Sequence, residues 1–255
     1  MKKTLTLFTA CFSFIFISCE REATGPEFRD LALQVSEHLL PGYFVTAIAF
    51  DSKGTAWMGT FKQGLIAWDD HATFYNAKNS ALAYNSVRDV VVDGKNNKWI
   101  AISEVVDDPR IIRIDGEHWT VIDKSDFGFS LYYFGNLTVD TRGRLWASID
   151  YSLSSLLSMA RPNLIGFDGE AWTINNPVDE TGAPLGYVWK VAADLAGNIW
   201  ASLRGRDGCA LAVYNGRQWF YNDADFPAMS IFEIAADNKN RIWLGTGDGI
   251  YLIVQ

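Results

Sequence analysis

One motif occurs five times in this chain and limits what the chain can fold into. The motif is Asp-x-x-(Gly/Asn)-x-x-Trp, and successive copies of its Trp are 42, 47, 54 and 43 residues apart. A constant unit that returns at intervals of this size is typical of repeat architectures. The five copies occupy residues 51–57, 93–99, 140–146, 194–200 and 237–243.

Each copy has the pattern of a β-hairpin. An apolar, β-rich stretch precedes the Asp, as in VTAIAF at 45–50. Gly or Asn at the fourth position accepts the positive φ of a tight turn. A second strand starts at the Trp and carries a small residue two positions later, which predicts close approach of neighbouring backbones. Because Asp, Gly or Asn, and Trp recur in every copy, we interpret them as the structural frame and not as a binding site or a metal site.

Two further strands follow each hairpin, as in GLIAW at 64–68 and DGEHWTVI at 115–122. Four short antiparallel strands per repeat is the size of one propeller blade. A single blade cannot bury both of its faces, so blades have to stack around an axis. The sequence therefore predicts an all-β fold, a five-bladed β-propeller of four-stranded antiparallel blades.

The fifth copy stops after its third strand, whereas FRDLALQVS at 28–36 is a strand without a hairpin of its own. We predict that this N-terminal strand pairs beside 249–254, completes the last blade and closes the ring, which removes an exposed sheet edge. Residues 28–255 would then form a single β-propeller domain. The alternative is a partial propeller that a second chain completes.

The first residues are typical of a bacterial export signal. MKK is followed by an apolar run, TLTLFTACFSFIFIS, that is too short to span a bilayer comfortably. FISC at 16–19 resembles a lipobox, with Phe16 where Leu is usual. We therefore expect 1–18 to be a lipoprotein signal peptide, Cys19 to be the lipidated N-terminus, and 19–27 to be a flexible tether. An uncleaved anchor or an ordinary secretory signal is the alternative.

Charge and cysteine content narrow the function classes. The formal net charge of −8 becomes −10 when Lys2 and Lys3 leave with the signal peptide. The sequence has no cluster of Lys and Arg residues that would form a basic patch. Nucleic-acid binding rests on phosphate neutralisation, so it is not expected. Cys11 would leave with the signal peptide and Cys19 would be lipidated, so only Cys209 would remain as a thiol. A single thiol excludes an intramolecular disulfide framework. We expect a monomer without cofactor or metal, in the cell envelope, whose membrane contact is its lipid anchor.

Residues 51–65, with the pattern D-x-x-G-x-x-W-x-G-T-x-x-G-L, and DNKNRIWLGTGDGIY at 237–251 resemble the two-component regulator propeller repeat. That repeat builds the periplasmic sensor regions of hybrid two-component systems. The resemblance implies a propeller that binds a ligand or acts as a scaffold. No kinase region accompanies the repeats here, so signalling output by this chain alone is not expected.

Binding is expected at the propeller face that carries loops of uneven length, because variable loops on a rigid scaffold are where binding usually resides. These loops are 103–110, 123–135, 150–163, 176–187 and 204–209. The opposite face carries the short turns of the repeat.

The innermost strands place polar and aromatic side chains near the axial channel, four and five residues before each repeat Asp. Aromatic rings beside hydrogen-bonding groups suit a saccharide or another polar small ligand. The alternative is that these groups only satisfy one another in a water-filled channel. The candidate ligand-binding residues are Arg88, Asp89, Tyr133, Asn136, Tyr187, Trp189, Lys190, Arg204, Phe232 and Glu233.

The function that these features favour is non-catalytic ligand binding. A protein–protein interaction scaffold in an envelope complex is the first alternative. A hydrolase or lyase is the second, because Asp89 and Glu233 could form the carboxylate pair that glycoside hydrolysis requires.

Overall fold

The computed structural model describes residues 40–104, 108–150, 161–204, 211–221 and 230–254. Within these residues the chain forms four four-stranded antiparallel sheets, one three-stranded sheet and one short helix. The sheets belong to one compact unit, Gly42–Gln255. The predicted five-bladed β-propeller is confirmed, while the proposed closing strand at 28–36 lies outside the described residues.

The blades follow one another along the chain. Blade 1 contains β1 (Val45–Phe50), β2 (Ala56–Thr60), β3 (Leu65–Trp68) and β4 (Ala72–Tyr75). Blade 2 contains β5 (Val87–Val92), β6 (Lys98–Ile102), β7 (Arg110–Asp115) and β8 (His118–Ile122). Helix α1 (Lys124–Phe127) leads to blade 3, with β9 (Tyr133–Val139), β10 (Leu145–Asp150), β11 (Leu164–Phe167) and β12 (Trp172–Ile174). Blade 4 contains β13 (Tyr187–Ala193), β14 (Ile199–Arg204), β15 (Leu211–Tyr214) and β16 (Trp219–Tyr221). Blade 5 contains β17 (Ile231–Ala236), β18 (Ile242–Thr246) and β19 (Gly249–Ile253).

The repeat Asp and Trp hold the first hairpin of every blade. In blade 1, Asp51 Oδ1 accepts the backbone N–H groups of Lys53 at 2.9 Å and Thr55 at 3.1 Å, and its Oδ2 accepts the Trp57 indole N–H at 3.1 Å. The same indole bond, at 3.0–3.1 Å, joins Trp99 to Asp93, Trp146 to Asp140, Trp200 to Asp194 and Trp243 to Asp237. These side chains are therefore occupied by the frame, as the sequence pattern predicted.

The fourth position of each turn has the left-handed backbone that the sequence predicted. Gly54 has φ +85°, and Asn96 and Asn240 have φ +66° and +60°. The two asparagines also reach the preceding blade. Asn96 Oδ1 accepts the backbone N–H of Ser52, and Asn240 Oδ1 accepts that of Leu195, both at 2.7 Å. At these turns one residue both shapes the hairpin and ties two blades together.

A β-bulge interrupts the pairing of the innermost strand in every blade. In blade 1 the register shifts between Val45 and Ala47, opposite the small residue Gly59. The predicted close approach occurs there, since a Cβ on Gly59 would lie 2.5 Å from a methyl carbon of Val87 in the next blade. In blades 3 and 4 the small residue is a serine whose Oγ accepts a backbone N–H of the bulged strand. Bulges redirect side chains, and here they do so beside the channel.

Neighbouring blades pack through apolar faces. Val87 and Val90 of β5 share a buried cluster with Trp57 and Leu65 of blade 1. The same packing joins the innermost strands in the order β1, β5, β9, β13 and β17. Blade-to-blade burial of this kind supplies the main stabilisation of the ring.

Blade 1 and blade 5 keep their outer faces uncovered among the described residues. Ile250 is 72% exposed, although its equivalent Leu65 is fully buried. Ile48 is 56% exposed, although its equivalent Val90 is 3% exposed. We call this pair of faces the seam. Its composition is that of a blade-to-blade interface, because each side carries the residues that are buried at the other four positions.

None of the helices in the described part of the chain is both long and apolar enough to cross a membrane.

Candidate functional site

Side chains at the bulges line a cavity of about 320 Å³. The cavity lies at the end of the axial channel that is opposite the repeat turns. Blades 1 to 4 contribute to it. We call it the mouth cavity. Its lining residues are Phe44, Val45, Thr46, Arg88, Phe134, Gly135, Asp150, Val188, Trp189 and Lys190. Three of the ten candidate residues from the sequence, Arg88, Trp189 and Lys190, therefore meet in one cavity.

Two other candidates support the cavity wall by stacking. The Arg88 guanidinium lies over the Tyr133 ring, 5.4 Å from its centroid, and its Nε donates to the Ser103 carbonyl oxygen at 3.2 Å. The Arg204 guanidinium lies 3.8 Å from the centroid of the Trp189 ring. Cation–π contacts of this kind hold both partners in a defined orientation.

The third basic group is neutralised by a neighbouring blade. Lys190 Nζ lies 3.0 Å from Glu233 Oε2, and the two side chains are 28% and 61% exposed. An ion pair with this exposure contributes little to stability. It does fix the Lys190 ammonium at the edge of the cavity.

Asp89 and Asn136 join blades instead of lining the cavity. Asp89 Oδ2 accepts the backbone N–H of Leu137 at 2.6 Å, and its Oδ1 accepts that of Val90 at 2.8 Å. Asn136 bonds both backbone groups of Val191, at 2.9 and 3.0 Å. Both side chains therefore bridge to the backbone of the next blade.

Burial raises the pKa of Asp89 to about 6, while the backbone bonds from Leu137 and Val90 and the charge of Lys190 act against this and Glu233 adds to it. The folded state therefore keeps a proton that the unfolded state releases near pH 3.8. The resulting stabilisation is complete below pH 3.8 and is lost as the pH rises through 6.

We expect the wild-type protein to lose stability relative to an Asp89→Asn variant between pH 4 and 6, in urea unfolding at each pH. A difference between the two proteins that stays constant over this range would contradict the raised pKa.

The last two candidates are not among the residues that line the cavity. Tyr187 pairs with Arg204 across β13 and β14, and Phe232 is 49% exposed on blade 5. Sequence reasoning missed Phe44 and Asp150. Asp150 pairs directly with Tyr133 across β9 and β10, so the hairpin register was the signal that could have found it.

Several predicted features lie outside the described residues. The lipidation site Cys19 is one of them. The variable loops contribute the others, at 105–107, 151–160 and 205–210.

A second cavity, of about 390 Å³, opens on the turn face between blades 2 and 3. Its charged lining is mixed and includes Asp93 and Asp140, whose carboxylates are already bonded to Trp99 and Trp146. The mouth cavity is the stronger candidate, because its Trp189 and Lys190 side chains are not part of that repeated frame.

Comparison with known proteins agrees with this architecture. Residues 39–62 match the family described as two component regulator propeller. The match covers the first of the five repeats. The resemblance noted in the repeats is thus confirmed at the first copy. No curated protein matches the chain in sequence.

Three solved structures illustrate the similarity of fold. PorZ of Porphyromonas gingivalis, described as an essential bacterial surface component of the type-IX secretion system, is 19% identical with a TM-score of 0.62, over 81% of this chain and 32% of PorZ. The extracellular domain of the putative hybrid two component system BT3049 from B. thetaiotaomicron is 17% identical with a TM-score of 0.60, over 82% of this chain and 27% of that one. Virginiamycin B lyase from Staphylococcus aureus is 13% identical with a TM-score of 0.58, over 85% and 72%. At these identities the similarity establishes the propeller fold, and this chain spans about a third or less of the first two proteins.

Proposed function

We propose that this chain is a non-catalytic lipoprotein propeller of the bacterial cell envelope that binds a carbohydrate-like or other polar small molecule in the mouth cavity. The observation that carries the proposal is the cavity itself, which the aromatic residue Trp189 lines together with the basic residues Arg88 and Lys190. Its volume of about 320 Å³ lies within the range of small-molecule sites. The envelope location rests on the signal sequence with Cys19, and it is supported by the surface and extracellular settings described for PorZ and BT3049.

The contacts of the two candidate carboxylates, Asp89 and Glu233, favour binding without catalysis. Both oxygens of Asp89 accept backbone N–H groups, and Glu233 pairs with Lys190. Both carboxylates are therefore engaged by groups of the protein and are not positioned as a catalytic pair. If the protein were a hydrolase or lyase, Asp89→Ala and Glu233→Ala would abolish turnover, whereas in a binding protein they would change only affinity or stability.

The test is a binding screen of purified residues 20–255 against a broad panel of glycans and polysaccharides. We expect at least one ligand whose affinity falls about tenfold or more in Trp189→Ala, because an aromatic platform is lost, and in Lys190→Ala. Phe220→Ala and Lys53→Ala are matched controls on exposed surfaces away from the cavity, and they should bind like the parent. A panel without any binding would contradict the proposal and favour the scaffold alternative, which cross-linking in the intact envelope would then test.

A further inference from the structure

The wall of the mouth cavity carries a cation that is not neutralised within the described part of the chain. Arg88 makes no ion pair there, whereas Lys190 is paired with Glu233. Ion pairs also occupy other basic residues of the described blades, namely Lys98, Arg110, Arg113, Arg144 and Arg241. In a chain with a net charge of −8, a half-buried arginine without an ion pair on a cavity wall is a feature that ligand binding can explain.

The Arg88 side chain is held in one orientation. Its Nε bond to the Ser103 carbonyl fixes one edge of the guanidinium, and the Tyr133 ring supports its plane. The two terminal Nη groups make no hydrogen bond to the other described residues. A planar fork held in this way is suited to bind a carboxylate through two parallel N–H···O bonds, and less conformational freedom is lost on binding.

We propose that the ligand of the mouth cavity carries a carboxylate, which Arg88 binds, so that an acidic sugar such as a uronic acid is the chemical class. This inference rests on the proposed function and makes it more specific. The Trp189 ring, backed by Arg204, supplies an apolar surface for the sugar ring.

The experiment compares matched ligands by titration calorimetry. The probes are glucuronic and galacturonic acid and their short oligomers, the corresponding neutral sugars, the uronate methyl esters, and sulfated sugars of the same ring. We expect the uronates to bind at least tenfold more tightly than the neutral sugars and the esters. Their affinity should also fall as salt is raised from 50 to 500 mM, because the charge pair is partly exposed to solvent.

The Arg88→Met variant keeps the length of the side chain and removes its charge. It should remove the preference for uronates and the salt dependence together, whereas Arg142→Met, on the exposed turn face, should leave both unchanged. An Arg88→Met variant that kept both the uronate preference and the salt dependence would rule out the role of Arg88, and the proposed function would then stand without it. Exclusive binding of sulfated sugars would also overturn the carboxylate assignment. If no sugar of any kind binds, the inference and the proposed function both fail.

Discussion

Deletion of residues 28–36 is expected to lower the melting temperature of the protein by about 10 °C or more. Blade 5 has three strands in the described part of the chain, and β19 forms its edge. Ile250, Leu252 and Val254 alternate on one face of that edge and are 72%, 42% and 70% exposed. We propose that the N-terminal strand adds to β19 as the fourth strand of the blade.

The length of the chain supports this placement. The segments that join the last strand of one blade to the first strand of the next are 11, 10, 12 and 9 residues long. Eight residues separate the end of the 28–36 strand from the start of β1. A strand at 28–36 would thus be joined to blade 1 by nearly the same length of chain as joins each fourth strand to the blade after it.

The size of the effect follows from burial. Leu31, Leu33 and Val35 alternate along the strand, and a side chain of this kind stabilises by about 1.5–3 kcal/mol when fully buried. In a domain of this size each kcal/mol is about 2–4 °C in melting temperature. Closure would also bring the two apolar faces of the seam together, which adds to the loss when the strand is removed.

Two comparisons control for this effect. Deletion of 20–27 should leave the melting temperature unchanged, and Leu33→Asp should destabilise more than Gln34→Asp, because alternate residues of a strand face opposite ways. A 28–36 deletion that melts like the parent would contradict the closure. A melting temperature that rises with protein concentration would instead favour completion by a second chain.

The Asp51→Ala variant is expected to lose about 3–5 kcal/mol of stability, because it leaves a buried charge without its partner. Asp51 Oδ2 lies 3.1 Å from Lys98 Nζ of blade 2, and the two side chains are 4% and 7% exposed. The Lys98 ammonium also lies 5.2 Å from the centroid of the Trp57 ring. One carboxylate thus holds its own hairpin and the neighbouring blade.

The pKa of Asp51 gives this interaction a pH dependence. Burial acts to raise the pKa, but hydrogen bonds from Trp57, Lys53, Lys98 and Thr55 outweigh it and lower the pKa from 3.8 to about 2. The stabilisation is therefore present above pH 3.8 and is lost as the pH falls towards 2.

The control for Asp51 is Asp168→Ala, since Asp168 accepts similar backbone bonds in an exposed turn and has no buried cation beside it. Its stability should be close to that of the parent in urea unfolding. The double variant Asp51→Ala/Lys98→Met should recover part of the loss, because the unpaired charge is removed. Equal losses in Asp51→Ala and Asp168→Ala would contradict the importance of the buried pair.

The frame of the fold could be predicted from local chemistry. The turn of each hairpin needs positive φ at one position, which Gly54 and Asn96 supply, and the Asp six residues before each Trp has its indole partner in the motif. These contacts lie within seven residues of sequence, so the repeat displays them directly. The packing of blade on blade then follows from the apolar strands between the motifs.

The site was less accessible to sequence reasoning because of the bulges. Strict alternation places one residue of each pair at the channel, and blade 2 follows this, with Arg88 at the cavity and Asp89 bonded to the next blade. In blade 4, by contrast, Trp189 and Lys190 both line the cavity. Asp150 comes from the second strand of its blade, and only the register of β9 and β10 brings it to the cavity wall.

The measurement that most directly tests the account is hydrogen–deuterium exchange of residues 20–255 with and without the tightest ligand from the glycan panel. Binding in the mouth cavity predicts slower exchange in peptides that contain residues 44–47, 88–89, 134–136 and 188–190, with the turns at 93–97 and 140–143 unchanged. Slower exchange at those turns and none at the mouth would contradict the account, because it would place the ligand at the opposite face of the propeller.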